Sequence, residues 1–262
     1  RDSVKTIGTL QSIVVKDSKV YFMSERLIII YDIQSDSLSY VNLRKLGFRQ
    51  FLRMFLIDDK IILASNILGL VEFDGKSLSQ LTGGGFFKYK KSITILPYDD
   101  NRIVVGTLDM GIYILDHSSG TVDSTFIDRK IFNRLKDSQV YFGVRMNAGE
   151  MAFGTYGDGV YVINHNGSIA GHYTSSNTEM VDNLVSAMYT DPDNPAELWV
   201  SVTASISKIY LNLPFTQFSE KSGINSIVNS FCSFNGSVYV ATDLGLYKST
   251  TDDDGNRVFS QL

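Results

Sequence analysis

Six times the chain repeats one short phrase: an apolar run, a polar turn and a second apolar run. The copies begin at Val20, Ile61, Ile103, Met151, Leu198 and Val238, so successive starts lie 41, 42, 48, 47 and 40 residues apart. In the clearest copies, 103–115 and 151–163, nearly every strand residue is apolar, which a strand tolerates only where both faces of its sheet are covered. Another apolar run precedes each copy, as at 12–18, 54–59 and 93–101, and a more polar one follows Asp32, Asp74, Asp116, Asn164 or Asn212. Each unit therefore reads as four strands joined by tight turns. One such sheet cannot cover its own two faces, so the units must pack face to face around an axis. A period of about 40 to 50 residues built of short strands marks such radial stacks.

The expected fold class is thus all-β: a β-propeller of about six four-stranded blades, itself part of a seven-bladed or larger ring if the parent protein supplies more. A single domain over 1–262 is expected, with repeats at approximately 9–43, 51–81, 92–127, 139–174, 184–218 and 226–262. Gly111, Gly159 and Gly245 stand where the hairpins need positive φ. Tyr113, Tyr161 and Tyr247 share one position after them, as packing residues would.

Composition narrows the function. With 44% hydrophobic, 12% aromatic and 20% charged residues the chain has ample core material, which excludes a disordered segment. A net charge of −4 without a recognition motif argues against a nucleic-acid partner. No apolar run approaches the roughly 18 residues of a membrane helix. Cys232, flanked by Phe231 and Phe234, is expected to be a small buried side chain, and as the lone cysteine it leaves the redox compartment open. A chain that begins Arg-Asp-Ser-Val, without a secretory signal, is expected to be processed or excised.

The stretches Glu197-Leu-Trp-Val-Ser, 212–218 and 237–247 carry a resemblance. They are similar to the propeller repeats of bacterial two-component-regulator sensors, whose units pair a Val-x-x-Ile strand with Leu-Trp-Val-Gly-Thr-x-x-Gly-Leu-Tyr. The likeness spans the chain and is strongest over about 181–247. It implies a non-catalytic, extracytoplasmic (periplasmic) input module, joined in a membrane-anchored parent to a kinase, cyclase or DNA-binding output. The chain departs from the pattern in lacking the tryptophan in five units and in keeping the Gly-Thr pair in only two. A second resemblance, carried by Asp191-Pro-Asp-Asn-Pro195 and by 245–249 followed by 252–255 with Phe259, is to the Asp-box propellers of sialidase-like and sortilin-like proteins. It implies a carbohydrate-active enzyme as the alternative.

No catalytic constellation is legible. His117, His165 and His172 stand beside separate turns without metal-ligand spacing and read as surface histidines. Gly83-Gly-Gly85 opens no phosphate-binding helix and reads as a flexible loop. Neither metal nor cofactor is expected. Asp109, Asp158 and Asp243 recur at one hairpin, as an acidic rim or as turn formers.

Binding is better supported. Connections between successive units fall on the same face as the hairpins, and three of them are basic and aromatic: 44–53, 83–91 and 126–138. These 32 residues hold 11 of the 24 Lys and Arg. Candidate ligand contacts are Arg44, Lys45, Phe48 and Arg49, then Phe87, Lys88, Tyr89 and Lys90, then Arg129 and Lys130, with the three hairpin aspartates. Guanidinium forks and aromatic faces suit an anionic glycan or an acidic partner segment. The alternative is a solvated rim with Phe51, Phe86 and Phe126 tucked between blades, which would leave the chain a structural interaction platform.

Overall fold

The computed structural model describes residues 9–46, 51–146, 149–191, 193–211, 218–252 and 257–262. It is an all-β propeller. Blade 1 comprises β1 (Leu10–Lys16), β2 (Lys19–Ser24), β3 (Leu27–Asp32) and β4 (Ser37–Asn42). Blade 2 comprises β5 (Phe51–Ile57), β6 (Lys60–Ser65), β7 (Gly69–Phe73) and β8 (Leu78–Gln80). Blade 3 comprises β9 (Ser92–Pro97), β10 (Arg102–Thr107), β11 (Gly111–Asp116) and β12 (Val122–Asp123). Blade 4 comprises β13 (Val140–Arg145), β14 (Met151–Thr155), β15 (Val160–Ile163) and β16 (Ile169–Tyr173). Blade 5 shows β17 (Val185–Asp191), β18 (Asn194–Val202) and β19 (Ser205–Tyr210), and the fourth strand expected after Asn212 lies outside the described residues. Blade 6 comprises β20 (Val228–Phe234), β21 (Ser237–Thr242), β22 (Gly245–Thr251) and β23 (Arg257–Gln261). Every sheet is an antiparallel meander in chain order.

The first strands of blades 1 to 5 pack successively on one another, β1 on β5, β5 on β9, β9 on β13 and β13 on β17, which puts them nearest the axis. Side-chain hydroxyls stitch neighbouring blades there: Ser12 accepts from the Met54 amide at 2.9 Å and Thr94 donates to the Gly143 carbonyl at 3.5 Å. The middle strands carry the core, with Ile103, Val104, Val105, Phe153 and Tyr161 excluded from solvent. Blades 2, 3 and 4 share one apolar cluster, as sheets covered on both faces must.

The hairpin between the second and third strands has a common chemistry. Thr107 Oγ1 donates to the Gly111 carbonyl at 2.8 Å and accepts from the Met110 amide at 3.1 Å. Thr155 repeats this with Gly159 and Asp158, and Thr242 with Gly245 and Leu244. In blades 1 and 2, which lack the Gly-Thr pair, Ser24 and Ser65 accept from the amides two and three residues on. The hydroxyl five residues into each copy is therefore the shared element, and blade 5, with Val202 there, is the exception. Since Thr107 is buried, Thr107→Val removes the acceptor of the Met110 amide and a donor to the Gly111 carbonyl, and a loss of about 1–2 kcal/mol in urea denaturation is expected.

Four expectations are corrected. The basic segment 126–138 is not all loop but holds one helix, α1 (Arg129–Asp137), N-capped by Asp128, whose Oδ1 accepts from the Lys130 amide at 2.8 Å. It buries Phe132 and Leu135, and Phe132 lies over Gly111 so closely that a Cβ there would sit 2.7 Å from its ring. Gly83-Gly-Gly85 enters a single 3-10 turn, Gly84–Phe87, rather than a flexible loop. His172 is buried, not a surface histidine. Cys232 is exposed, and with it Phe231 and Phe234, because every residue of β20 is open to solvent and no blade among the described residues covers that face.

Candidate functional site

In a meander the turn between strands two and three and the connection to the next blade fall at the same end of the sheet. The hairpins and the basic connections accordingly share one face. The opposite face is made of turns in which Asp32, Asp74 and Asp116 each accept from two backbone amides. Donated hydrogen bonds, first from the Ser77 hydroxyl, hold the Asp74 carboxyl at about 2. Those acids are turn formers; the basic connections lie on the hairpin face.

The sequence-predicted residues distribute unevenly over that face. Arg44 and Lys45 are exposed after β4, whereas Phe48 and Arg49 lie outside the described residues, as does the side chain of Phe51. Phe87 is fully buried against Tyr113, 5.9 Å between centroids, so it belongs to the core; Phe86 is the partner that reaches solvent. This reversal follows from the 3-10 turn, which points successive side chains in different directions. Lys88 and Tyr89 are exposed. Lys90 is held down by its bond to the Phe86 carbonyl at 2.7 Å and lies 4.1 Å over the Phe86 ring. Arg129 and Lys130 are exposed on the first turn of α1, Arg129 over Phe132. Phe126 is half-buried against the core, and Tyr113, Tyr161 and Tyr247 are all buried packing residues.

The hairpin aspartates are not equivalent. Counted from the capping threonine, Asp158 matches Met110, and Asp109 matches Gly157. Asp109 is an exposed turn residue. Asp243 accepts from Asn229 Nδ2 at 2.7 Å. Asp158 is the hub of a network: it accepts from the Tyr161 hydroxyl and, at 3.1 Å, from Arg134 of α1. Nε2 of His172 lies 2.8 Å from the Asp158 carbonyl and 3.5 Å from its carboxylate, with the imidazole stacked on Tyr161 at 4.1 Å. Burial pushes the Asp158 carboxyl up, but hydrogen bonds from His172 and Tyr161 and the charge of Arg134 outweigh it and hold the group at about 2. Among the described residues no three His, Cys, Asp or Glu side chains gather closely enough to hold a metal ion.

Beside this network opens a cleft of about 750 Å³. Its wall includes Arg134, Lys221 and Arg257, facing Asp158, Asp252 and the amides and hydroxyls of 174–183. Lys221 is fixed there by donating to the Thr178 carbonyl, and Phe218 closes the floor against Phe259, 5.1 Å between centroids. Of the acidic motif read as an Asp box, Pro192 and Asp253–Gly255 lie outside the described residues. Sequence reasoning missed the burial of His172, and the cleft residues Lys221 and Arg257.

No family model and no curated protein sequence matches the chain. Among solved structures, the extracellular domain of a B. thetaiotaomicron protein assigned as the hybrid two-component system BT3049 superposes with a TM-score of 0.66 at 15% identity, over 96% of this chain and 37% of that one. The corresponding domain of BT4673, from the same organism, gives 0.59 at 14% identity over 96% and 34%. The β-propeller domain of Cps50 (Swd1) from Myceliophteria thermophila gives 0.54 at 11% identity over 97% and 86%. The chain thus spans about a third of the length of the bacterial chains it resembles, and what is shared is the propeller fold. Among the described residues no helix is long and apolar enough to cross a membrane.

Proposed function

We propose that the chain is a non-catalytic sensory propeller, the extracytoplasmic ligand-binding part of a bacterial signal-transduction protein whose membrane anchor and output lie elsewhere. Its ligand is an anionic glycan or an acidic partner segment, taken at the hairpin face. The observation that carries this reading is the polar cleft between the hairpin end of blade 4 and the outer strands of blade 6, lined by Arg134, Lys221 and Arg257 together with hydroxyls and amides beside the Asp158 network. Cations set among amide and hydroxyl groups recognise acidic, hydrogen-bonding ligands by charge-assisted bonds. Two further facts support it: the basic connections share this face, and the fold recurs in extracellular domains of two-component systems.

Calorimetric titration with acidic and neutral oligosaccharides and an acidic peptide tests the proposal. An acidic ligand is expected to bind with an affinity that falls as salt rises, and Arg257→Ala is expected to weaken it about tenfold, the scale of one charged hydrogen bond. Failure of every acidic ligand to bind, or release of reducing sugar during titration, would overturn it, the second in favour of a carbohydrate-active enzyme.

A further inference from the structure

Near its start, each innermost strand slips register by one residue against its neighbour. The slips leave Gln11, Leu52, Ile93, Tyr141, Ser186 and Asn229 without a partner across the ladder. A bulge of this kind re-aims a side chain. Ser186 uses it to reach the Ser201 hydroxyl at 3.0 Å, and Asn229 to reach Asp243, so the bulged residue turns towards its own second strand or hairpin. In blade 4 the same device sets the Tyr141 ring against that of Tyr156, in the hairpin, with centroids 4.5 Å apart.

A cation reaches this aromatic pair from two blades away. Arg53 stands on β5 opposite Ala64, at the hairpin-face end of the strand. Its guanidinium carbon lies 5.3 Å from the Tyr141 centroid and 5.2 Å from that of Phe142. Blade 3 lies between blades 2 and 4, so the contact joins first strands that are not neighbours, at the hairpin-face end of the strands nearest the axis. The guanidinium is half-buried, and burial works against its charge. No carboxylate among the described residues forms an ion pair with it. A guanidinium held by neutral aromatic groups keeps its planar fork of donors for an external anion.

We propose that Arg53, Tyr141 and Tyr156 form a subsite at this end of the first strands for a carboxylate carried on a ring, whether a uronic sugar or an aromatic acid. A single fork matches one planar carboxylate, and Tyr156, 38% exposed, offers a flat apolar wall to the ring that bears it. The subsite rests on the reading of the hairpin face as the ligand face and places an anchoring contact there that is distinct from the cleft.

The test is titration of wild type, Arg53→Gln, Arg53→Lys, Tyr156→Leu and Arg257→Ala with tri-galacturonate, its methyl ester and benzoate. Wild type is expected to bind tri-galacturonate at least tenfold more tightly than the methyl ester. Arg53→Gln is expected to lose about 10- to 100-fold, Arg53→Lys to recover part of it, and Tyr156→Leu to lose affinity for ester and acid alike, with melting temperatures close to wild type. Benzoate binding that depends on Arg53 identifies an aromatic acid as the source; tri-galacturonate binding alone identifies a sugar. Affinity unchanged in Arg53→Gln overturns the subsite, and if Arg257→Ala then weakens the same ligand, the broader binding role stands. Failure of wild type to bind either carboxylate overturns the subsite.

Discussion

Gly159→Ala is expected to destabilise the protein by about 3–5 kcal/mol, the sum of a left-handed backbone strain and a core clash. Gly159 has a φ of +69°, and a Cβ there would sit 2.1 Å from the Tyr173 carbonyl oxygen and 3.1 Å from its carbon. Both atoms belong to the backbone of the neighbouring strand, β16, so no side-chain rotation relieves the contact. Relief requires moving the strand that carries His172, which lies within the Asp158 network. The control is two residues away: a Cβ on Gly157 meets nothing within 4 Å. Urea denaturation of the pair should therefore show a large drop in midpoint for Gly159→Ala and a shift within about 0.5 kcal/mol for Gly157→Ala, as surface changes give. Equal midpoints would refute the close packing of this hairpin on its outer strand.

Asp158→Asn is expected to cost about 2 kcal/mol at neutral pH, and the cost is expected to disappear in acid. The folded-state carboxyl titrates at about 2, below the ordinary 3.8. A carboxyl depressed on folding contributes stability that is fully present above the unfolded pKa and is lost as pH falls through the folded one. At about 1.4 kcal/mol per unit, the depression corresponds to roughly 2 kcal/mol. The window therefore runs from about pH 4 down to about pH 2. Stability measured against urea at pH 7, 4 and 2.5 should show wild type approaching Asp158→Asn only at the acid end. Asp158→Ala should cost more, about 3 kcal/mol, because the buried Tyr161 hydroxyl then loses its acceptor and a cavity opens beside it. A wild-type curve parallel to that of Asp158→Asn throughout would show that the carboxylate is not paired in solution.

Both predictions concern blade 4, where the repeat is clearest in the sequence and least informative about chemistry. The copies at 103–115 and 151–163 look interchangeable, yet Asp109 and Asp158 occupy different turn positions, because the glycine before Asp158 displaces it by one residue. That single step turns an exposed loop acid into a hub for Tyr161, Arg134 and His172. Likewise Phe86 and Phe87 are indistinguishable in an aromatic-basic run; the tight turn at Gly84–Phe87 buries one and exposes the other. The helix α1 was legible in part, since Asp128 precedes apolar residues at 132 and 135, but an otherwise all-strand pattern masked it.

What local sequence determines here is whatever depends on near neighbours and on covering both faces of a sheet: the strand order within a blade, the capped hairpins, the turn aspartates and the radial stacking of units. Burial of His172, exposure of Cys232 and the meeting of Arg53 with Tyr141 were decided elsewhere. Each depends on which blade lies beside which, and on a bulge or a turn that rotates one side chain out of its strand's alternation. Such choices arise from contacts about 11 to 88 residues apart in the chain, where periodicity carries no information, and only the packed blades make them.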